Sequence, residues 1–303
     1  MIINPISGKK LIQDSAKVIS EKLVQNKIAK KVDVFYTKAQ NQGYDEALKL
    51  KSGDYDCVIA VGGDGTVNEV IQGIIDAGSD IPVAILAAGT VNDFAKSIGL
   101  PREPDEFCAM IKNGRICETD LGCCNGRHFA NVAAAGVLAD VAYSVPTKNK
   151  NKIGRMAYYL NGAKILFKNI KKTFPLTYEY DGGSVEADSF LFVVANTTSV
   201  GGFGKIAPRA LINDGKLDLL VIKKLSVPGM VPLFIKLCFG KHINSRKVLY
   251  IQSEKINITL RGGVRVPLDF DGEQVGELPA KIVCENRKVK IFVPENTRLI
   301  QND

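Results

Sequence analysis

A chain of 303 residues with 46% apolar and 24% charged side chains is long enough to bury a sizeable core and to divide into two domains. No apolar run nears the ~20 residues that span a bilayer, and the opening Met1-Ile2-Ile3-Asn4-Pro5 lacks the basic start and long apolar body of a signal peptide. Seven cysteines without C-x-x-C spacing read as reduced thiols, not a disulfide frame or zinc site, so the expected location is cytoplasmic. The net charge of +8 admits nucleic acid, an anionic membrane or an anionic small substrate, and two histidines, His128 and His242, supply little for histidine base chemistry.

In chain order, Ile2 and Ile3 begin a short strand, Asn4-Pro5-Ile6-Ser7-Gly8 turns after it, and Leu11, Ile12, Val18, Ile19 and Leu23 mark an amphipathic helix. Val32 to Tyr36 reads as a strand ended by Thr37, and Tyr44 to Leu50 as a helix. The apolar run Cys57 to Val61 reads as a buried strand, and Val67, Val70, Ile71, Ile74 and Ile75 as one face of a helix. Between them stand Gly62, Gly63, Asp64, Gly65 and Thr66. Glycines at a strand-to-helix junction let backbone N–H groups approach phosphate, with the helix N-terminus adding its partial positive charge. The loop carries no lysine, so it is not the usual G-x-x-x-x-G-K-[ST] phosphate loop, and Asp64 calls for a cation or water network beside any phosphate. A plain tight turn without ligand also fits this stretch taken alone.

Ile81 to Leu86 is a further strand, ending in Ala87-Ala88-Gly89-Thr90 and followed by the helical Val91 to Ile98. Strands alternating with helices imply a doubly wound parallel sheet. Ser7, Thr37, Asp64 and Thr90 then all fall at carboxyl ends of strands, the edge at which such sheets bind ligands.

From about Arg127 the pattern changes. Phe129–Ala135, Thr177–Tyr180, Phe190–Ala195, Lys216–Ile222, Val248–Gln252, Ile256–Leu260 and Lys288–Val293 read as short strands, separated by turns such as Asp181-Gly182-Gly183, Arg261-Gly262-Gly263 and Asn286-Arg287. The expected division is an α/β domain over 1–125, rejoined by 293–303, and an all-β domain over 126–292 with two helical insertions, the join near Gly122 to Gly126 being short. The first insertion, between Val141 and Lys172, carries Lys148, Lys150, Lys152, Arg155, Lys164, Lys168, Lys171 and Lys172 and no acid, with Met156, Tyr159, Leu160, Ala163, Phe167 and Ile170 at helical spacing. That suits an anionic membrane surface, or a solvated helix packed on its own domain. Val231, Leu233, Phe234, Leu237 and Cys238 form a second apolar segment, either core or lipid-facing. No nucleic-acid-binding motif is evident.

Two acidic clusters stand in the β half: Ala207-Pro208 through Asp214-Gly215-Lys216-Leu217-Asp218, and Leu268-Asp269-Phe270-Asp271-Gly272-Glu273. Each alone is ordinary Asp-Gly turn chemistry. Beside a phosphate cradle they would also supply a hard cation ligand and a base, since Mg²⁺ needs only one carboxylate, backbone carbonyls and its own waters.

The chain resembles the diacylglycerol kinase catalytic family, in particular the soluble bacterial lipid kinases related to sphingosine kinases. The matching residues are Asn4-Pro5-x-Ser7-Gly8, Gly62-Gly63-Asp64-Gly65-Thr66, Gly89-Thr90-x-Asn92-Asp93-Phe94-Ala95, Asp120-Leu121-Gly122, Ala207-Pro208 with Asp214-Gly215-x-Leu217-Asp218, and Asp271-Gly272-Glu273. They run in family order over essentially the whole length. The resemblance implies an α/β domain similar to those of phosphofructokinases and NAD kinases, a C-terminal β-sandwich, and a cleft between them. It implies ATP contacts at Asn4, Pro5, Ile6, Ser7, Gly8, Thr37, Gly63, Asp64, Gly65, Thr66, Val67, Asn68, Glu69 and Thr90. Mg²⁺ would be held by Asp214 with backbone carbonyls of Leu211 and Lys216, with Asp120 and Asp64 in the surrounding water network. Glu273 would take the proton of a lipid hydroxyl, and Asp271 would assist in orientation.

The implied reaction is phosphorylation of diacylglycerol to phosphatidic acid at the inner face of the membrane. The resemblance leaves room for a homodimer and implies no nucleic acid partner. Two other readings stay open: a kinase of phosphatidylglycerol, a sphingoid base or NAD, and a catalytically idle lipid- or nucleotide-binding regulator. The sequence departs from the family at Gly201-Gly202-Phe203-Gly204, where relatives often carry an unbroken glycine run, and at Lys96, where arginine is usual. The lysine keeps the charge but loses bidentate geometry, and Phe203 is expected to reshape the lipid entrance.

Overall fold

Short parallel strands organise the front of the chain in the computed structural model, which describes residues 1–7, 10–89, 91–136, 172–263 and 265–301, with 10–13 as backbone only. Two compact units emerge: Met1–Leu121 with Ile212–Asp214 and Asn286–Asp303, and Gly122–Leu211 with Gly215–Glu285.

In the first unit, strands β1 (Ile2–Ile3), β2 (Phe35–Tyr36), β3 (Val58–Gly62) and β4 (Val83–Ala87) lie parallel in the order β2-β1-β3-β4. The end of the strand Ala280–Val293 joins β4 through Ile291 and Val83. Helices α1 (Lys10–Gln25), α2 (Gln42–Ala47), α3 (Asp64–Asp76), α4 (Asp93–Ser97) and α5 (Pro104–Asn113) complete it, α1 packing against α5 and α2 against α3. Every residue of β3 and β4 is buried, which is why both are apolar throughout, as strands covered on both faces must be. In α3 the buried residues Thr66, Val67, Val70, Ile71, Gly73 and Ile74 form one stripe. The chain leaves β1 toward β2 on one side and returns to place β3 on the other. The turns after β1 and β3 therefore flank a topological switch point, where open α/β sheets take ligands.

The second unit is antiparallel. Its strands are the end of β5 (Arg115–Cys124), β6 (Arg127–Phe129), β7 (Val132–Gly136), β8 (Phe174–Tyr180), β9 (Gly183–Ala195), β10 (Leu217–Lys223), β11 (Val248–Ser253), β12 (Lys255–Leu260), β13 (Pro267–Phe270), β14 (Glu273–Glu277) and the start of β15 (Ala280–Val293); helix α6 (Val227–Cys238) follows β10. The order is β14-β13-β7-β9-β8-β12-β15, with β10 and β11 added beside β9. Alternation along β7, β9 and β10 sends Ala133, Ala135, Phe192, Val194, Leu217, Leu219 and Val221 into one core with Tyr178, Ile256, Ile258 and Ile282. Their other faces form a second core closed by Met230 and Leu233 of α6. Burial on both faces is the mark of a sandwich layer, so the α/β unit and the β-sandwich both match the fold class read from the sequence.

Several element bounds are corrected. The strand expected over Val32–Tyr36 is only Phe35–Tyr36, because Val32, Asp33 and Val34 pair with no strand. The helix expected from Tyr44 starts two residues earlier. Phe129–Ala135 is two strands broken at Ala130–Asn131, where backbone N–H groups turn to Asp271 instead of a ladder partner. At the short join, Gly122 pairs with Phe129 across the β5–β6 hairpin, whose turn is Asn125-Gly126 with φ of 50° and 85°. Asn286-Arg287 is not a turn but the middle of the 14-residue β15. Arg287 does take a left-handed φ of 51° there, donating its N–H to Asp120 Oδ1 at 2.8 Å. Of the two helical insertions, the second is α6; the first, with its run of lysines from 148 to 171, lies outside the described residues.

Candidate active site

Asn4 ties the turn after β1 to the glycine loop. Its N–H donates to Val61 O at 2.9 Å, its Oδ1 accepts from Ile6 N at 3.0 Å, and its Nδ2 donates to Thr66 Oγ1 at 3.1 Å. Pro5 and Ser7 are half-buried in this turn, and Ile6 stands exposed at its tip. Thr37 is buried at the end of β2, its N–H donating to Ile3 O at 2.9 Å. Gly8 and Thr90, both expected at the site, lie outside the described residues.

The glycines have separate reasons. A Cβ on Gly62 would lie 2.4 Å from Thr66 Cβ, so the close packing of Thr66 requires hydrogen there. A Cβ on Gly89 would lie 2.7 Å from Gly63 Cα, so the loops after β3 and β4 touch backbone to backbone. Gly63 precedes α3 in extended conformation without a side-chain cap. The first-turn amides of Asp64, Gly65 and Thr66 are the donors that a helix leaves without an intrahelical acceptor. A cradle this narrow, lined by N–H groups at a switch point, fits a phosphate chain. Val67 is buried toward the core and Asn68 half-buried on α3. Glu69 is occupied elsewhere: Oε1 accepts from Asn41 N at 3.0 Å and Oε2 from Gly43 N at 3.1 Å, so it holds the start of α2.

Asp64 is the charged group of the cradle. Burial first, and then the neighbouring Asp93, push its carboxyl up to about 6; a hydrogen bond from Asn92 N at 2.9 Å works the other way. Asn92 adopts a left-handed φ of 51° and donates Nδ2 to Gly89 O at 2.6 Å. Lys96 reaches back to Val91 O and lowers the Asp64 proton affinity through its charge. Asn92, Asp93 and Lys96 thus surround Asp64, although the sequence offered the first two only as parts of a motif and Lys96 only as a departure from the family.

Asp120 is fully buried. Its N–H donates to Ile212 O at 2.6 Å and its Oδ1 accepts from Arg287 N at 2.8 Å. Ile212 N donates in turn to Leu299 O at 2.9 Å, and Asn213 exchanges hydrogen bonds with Gln301 at 2.7 and 3.1 Å. The Ile212–Asp214 segment is therefore held in the first unit with Asp120. Of the three expected metal ligands, Asp214 belongs to that unit, whereas Leu211 and Lys216 fall in the second. Carboxylate and carbonyl oxygens are the donor set that suits Mg²⁺, and a fully buried Asp120 bonded to this segment by its own backbone fits such a centre. Asp218 is also buried, but it receives the Tyr250 hydroxyl, on whose ring Arg209 stacks with 5.8 Å to the centroid.

The Asp271 carboxylate accepts three backbone N–H groups, from Ala130 at 2.8 Å, Asn131 at 3.0 Å and Val132 at 2.8 Å, a charge-assisted clamp on the break between β6 and β7. Asp271 and Gly272, with φ of 50° and 93°, make the two-residue turn of the β13–β14 hairpin. Glu273 follows, exposed at the first position of β14. Against the same corner lies a buried polar group that sequence reading missed: Asn131 Nδ2 donates to Ser199 O at 3.0 Å, Thr197 Oγ1 to Asn131 Oδ1, and Asn196 Nδ2 to Ala130 O at 3.0 Å. The run Asn196-Thr197-Thr198-Ser199 directly after an apolar strand was the available signal. Cys123, His128 and Glu285 also cluster within 4.8 Å, with His128 Nε2 3.1 Å from Glu285 Oε2.

A parallel α/β unit with a glycine loop at its switch point and a β-sandwich carrying a carboxylate hairpin follow one another in the chain, and each is matched by a family model. The model of the diacylglycerol kinase catalytic domain matches residues 1–124, and that of the YegS C-terminal NAD kinase beta sandwich-like domain matches residues 131–293. The diacylglycerol kinase of Bacillus subtilis (strain 168) is 32% identical over 97% of this chain and 96% of that protein. That of Staphylococcus carnosus (strain TM300) is 31% identical over 100% and 98%. A solved diacylglycerol kinase structure from Bacillus anthracis str. Sterne superposes with a TM-score of 0.75 over 98% of this chain and 96% of that one, at 22% identity. The chain belongs to the diacylglycerol kinase catalytic family.

Proposed function

We propose that the chain is an ATP- and Mg²⁺-dependent lipid kinase that phosphorylates the free hydroxyl of diacylglycerol to give phosphatidic acid, working at the inner face of the membrane. The lipid oxygen forms a bond to the γ-phosphorus as the bond to the β,γ-bridging oxygen breaks, ADP leaves, and the hydroxyl proton passes to Glu273. Transfer of this kind asks of the protein mainly positioning and charge stabilisation. The Asn4–Ser7 turn and the first-turn amides of α3 receive the phosphates, and Asp214, with carbonyls of Leu211 and Lys216 and with Asp120 in the surrounding water network, would hold Mg²⁺, which neutralises phosphate charge when bound.

The observation that carries the reading is the division of labour at the hairpin. Asp271 spends its carboxylate on three backbone amides and so fixes the turn, while Glu273 is exposed beside it and, among the described residues, nothing donates to its carboxylate. A base needs that combination of a rigid mount and an uncommitted oxygen.

The test is transfer of radiolabel from γ-labelled ATP to a panel of diacylglycerol, phosphatidylglycerol, sphingosine and NAD, with Mg²⁺ or with EDTA. Labelled phosphatidic acid that disappears with EDTA is expected. Label in NAD alone would replace the lipid acceptor, and ATP binding without transfer to any acceptor would leave a regulator.

A further inference from the structure

Helix α6 is apolar on nearly every side, a composition normal for a core or a membrane and unusual for a helix at a protein surface. One half is accounted for: Met230 and Leu233 are buried in the second core of the sandwich with Leu237 packed against it, and Phe234 meets Phe203 edge-on at 5.9 Å. The other half faces out. Val227, Val231, Ile235 and Phe239, each four residues from the last, are 52%, 50%, 54% and 67% exposed. Four-residue steps drift by about 40° each, so the row is a gently slanted ridge about 18 Å long. Pro228, Pro232 and Cys238, all exposed, fill the same side. A contiguous apolar ridge marks an interaction surface, whereas single exposed apolar residues do not.

The charges around it identify the partner. From Leu219 to Ser253 the chain holds Lys223, Lys224, Lys236, Lys241, Arg246 and Lys247 and no acidic residue. Lys224 precedes the helix, Lys236 lies within it and Lys241 follows it, all three exposed. Lys205 lies along Gly240, near enough that a Cβ there would come within 3.3 Å of its side chain. A second copy of the chain would fit this surface badly, because a two-fold interface sets a patch against itself and would oppose the cations. An anionic bilayer satisfies both features at once, taking the apolar side chains below the headgroups and the cations at their level.

We propose that α6 is a membrane-docking helix, with Val227, Val231, Ile235 and Phe239 entering the acyl boundary of an anionic leaflet and Lys224, Lys236 and Lys241 contacting the headgroups. This rests on the lipid kinase reading for its purpose and on the α6 surface for its geometry.

The experiment sediments the full chain with vesicles of phosphatidylcholine alone and of phosphatidylcholine with an equal share of phosphatidylglycerol. It is repeated for the triple variant Val231→Ser, Ile235→Ser, Phe239→Ser and for the charge variant Lys224→Glu, Lys236→Glu, Lys241→Glu, with thermal melts to check folding. Wild type should bind the anionic vesicles, the triple variant should lose about tenfold in affinity, and the charge variant should bind as poorly as wild type does to neutral vesicles. Both variants should phosphorylate a water-soluble short-chain diacylglycerol at the wild-type rate. Equal vesicle binding by wild type and triple variant, or a wild-type dimer that the triple variant alone disrupts, would overturn the docking helix. Failure of wild type to phosphorylate the soluble substrate, with the vesicle pattern intact, would fell the kinase reading and leave the docking helix standing.

Discussion

Asp64 is a carboxylate whose ionised form is held at the expense of the fold. Its proton affinity is raised from the ordinary 3.8 to about 6, so between those values the folded chain binds a proton that the unfolded chain has released. Its contribution to stability is therefore full below about pH 4 and lost as pH rises through 6. At pH 7.5 the ionised group costs the fold on the order of 3 kcal/mol. Asp64→Asn should accordingly melt a few degrees higher than wild type at pH 7.5 and at the same temperature near pH 4. Equal melting at both pH values would mean that the carboxylate is not strained by burial. Glu69 and Asp271 show what the sequence hid at this scale. Each is an acid that the resemblance placed at the site, and each spends both oxygens on backbone amides, Glu69 on Asn41 and Gly43 and Asp271 on residues 130–132. Those partners lie 26 to 141 residues away, beyond any spacing rule.

Where a neighbouring residue decides the geometry, elements were legible. The strand, glycine loop and helix from Val58 to Asp76 follow from apolar runs and periodicity, and the Asp271-Gly272 turn follows from residues that tolerate left-handed φ. The same rule was available at Asn125-Gly126 and makes the β5–β6 hairpin. The start of α5, Pro104-Asp105-Glu106 before buried Phe107, Cys108 and Met110, was equally open to the usual helix-start signals. Arg287 was not legible, since its turn-like φ within β15 exists to meet Asp120, 167 residues earlier. The glycine loop gives a test at this scale. Gly62→Ala puts a Cβ 2.4 Å from Thr66 Cβ, and the displaced Thr66 would also lose Asn4 Nδ2. Overpacking of this kind costs about 1–3 kcal/mol, so the urea midpoint should fall clearly. A midpoint equal to wild type would mean that Gly62 is not there for packing.

Across the whole molecule, the two units are not consecutive lengths of chain. The first draws on Met1–Leu121, Ile212–Asp214 and Asn286–Asp303, which is why residues so far apart in sequence meet at Asp120. Motif order along the chain was enough to show the family, and the family models cover 1–124 and 131–293. It could not show that Asp214 is carried with the first unit while Leu211 and Lys216 are not. Nor could it show which side of α6 faces out, since Lys236 is the one charged residue of an otherwise apolar helix. In the proposed mechanism Glu273 is the group that receives the lipid proton. The most direct test is the rate of phosphate transfer from ATP to diacylglycerol by Glu273→Gln in Mg²⁺, with ATP affinity measured alongside. A fall of about 10²- to 10⁴-fold with ATP binding unchanged is the predicted result, and transfer at the wild-type rate would contradict it.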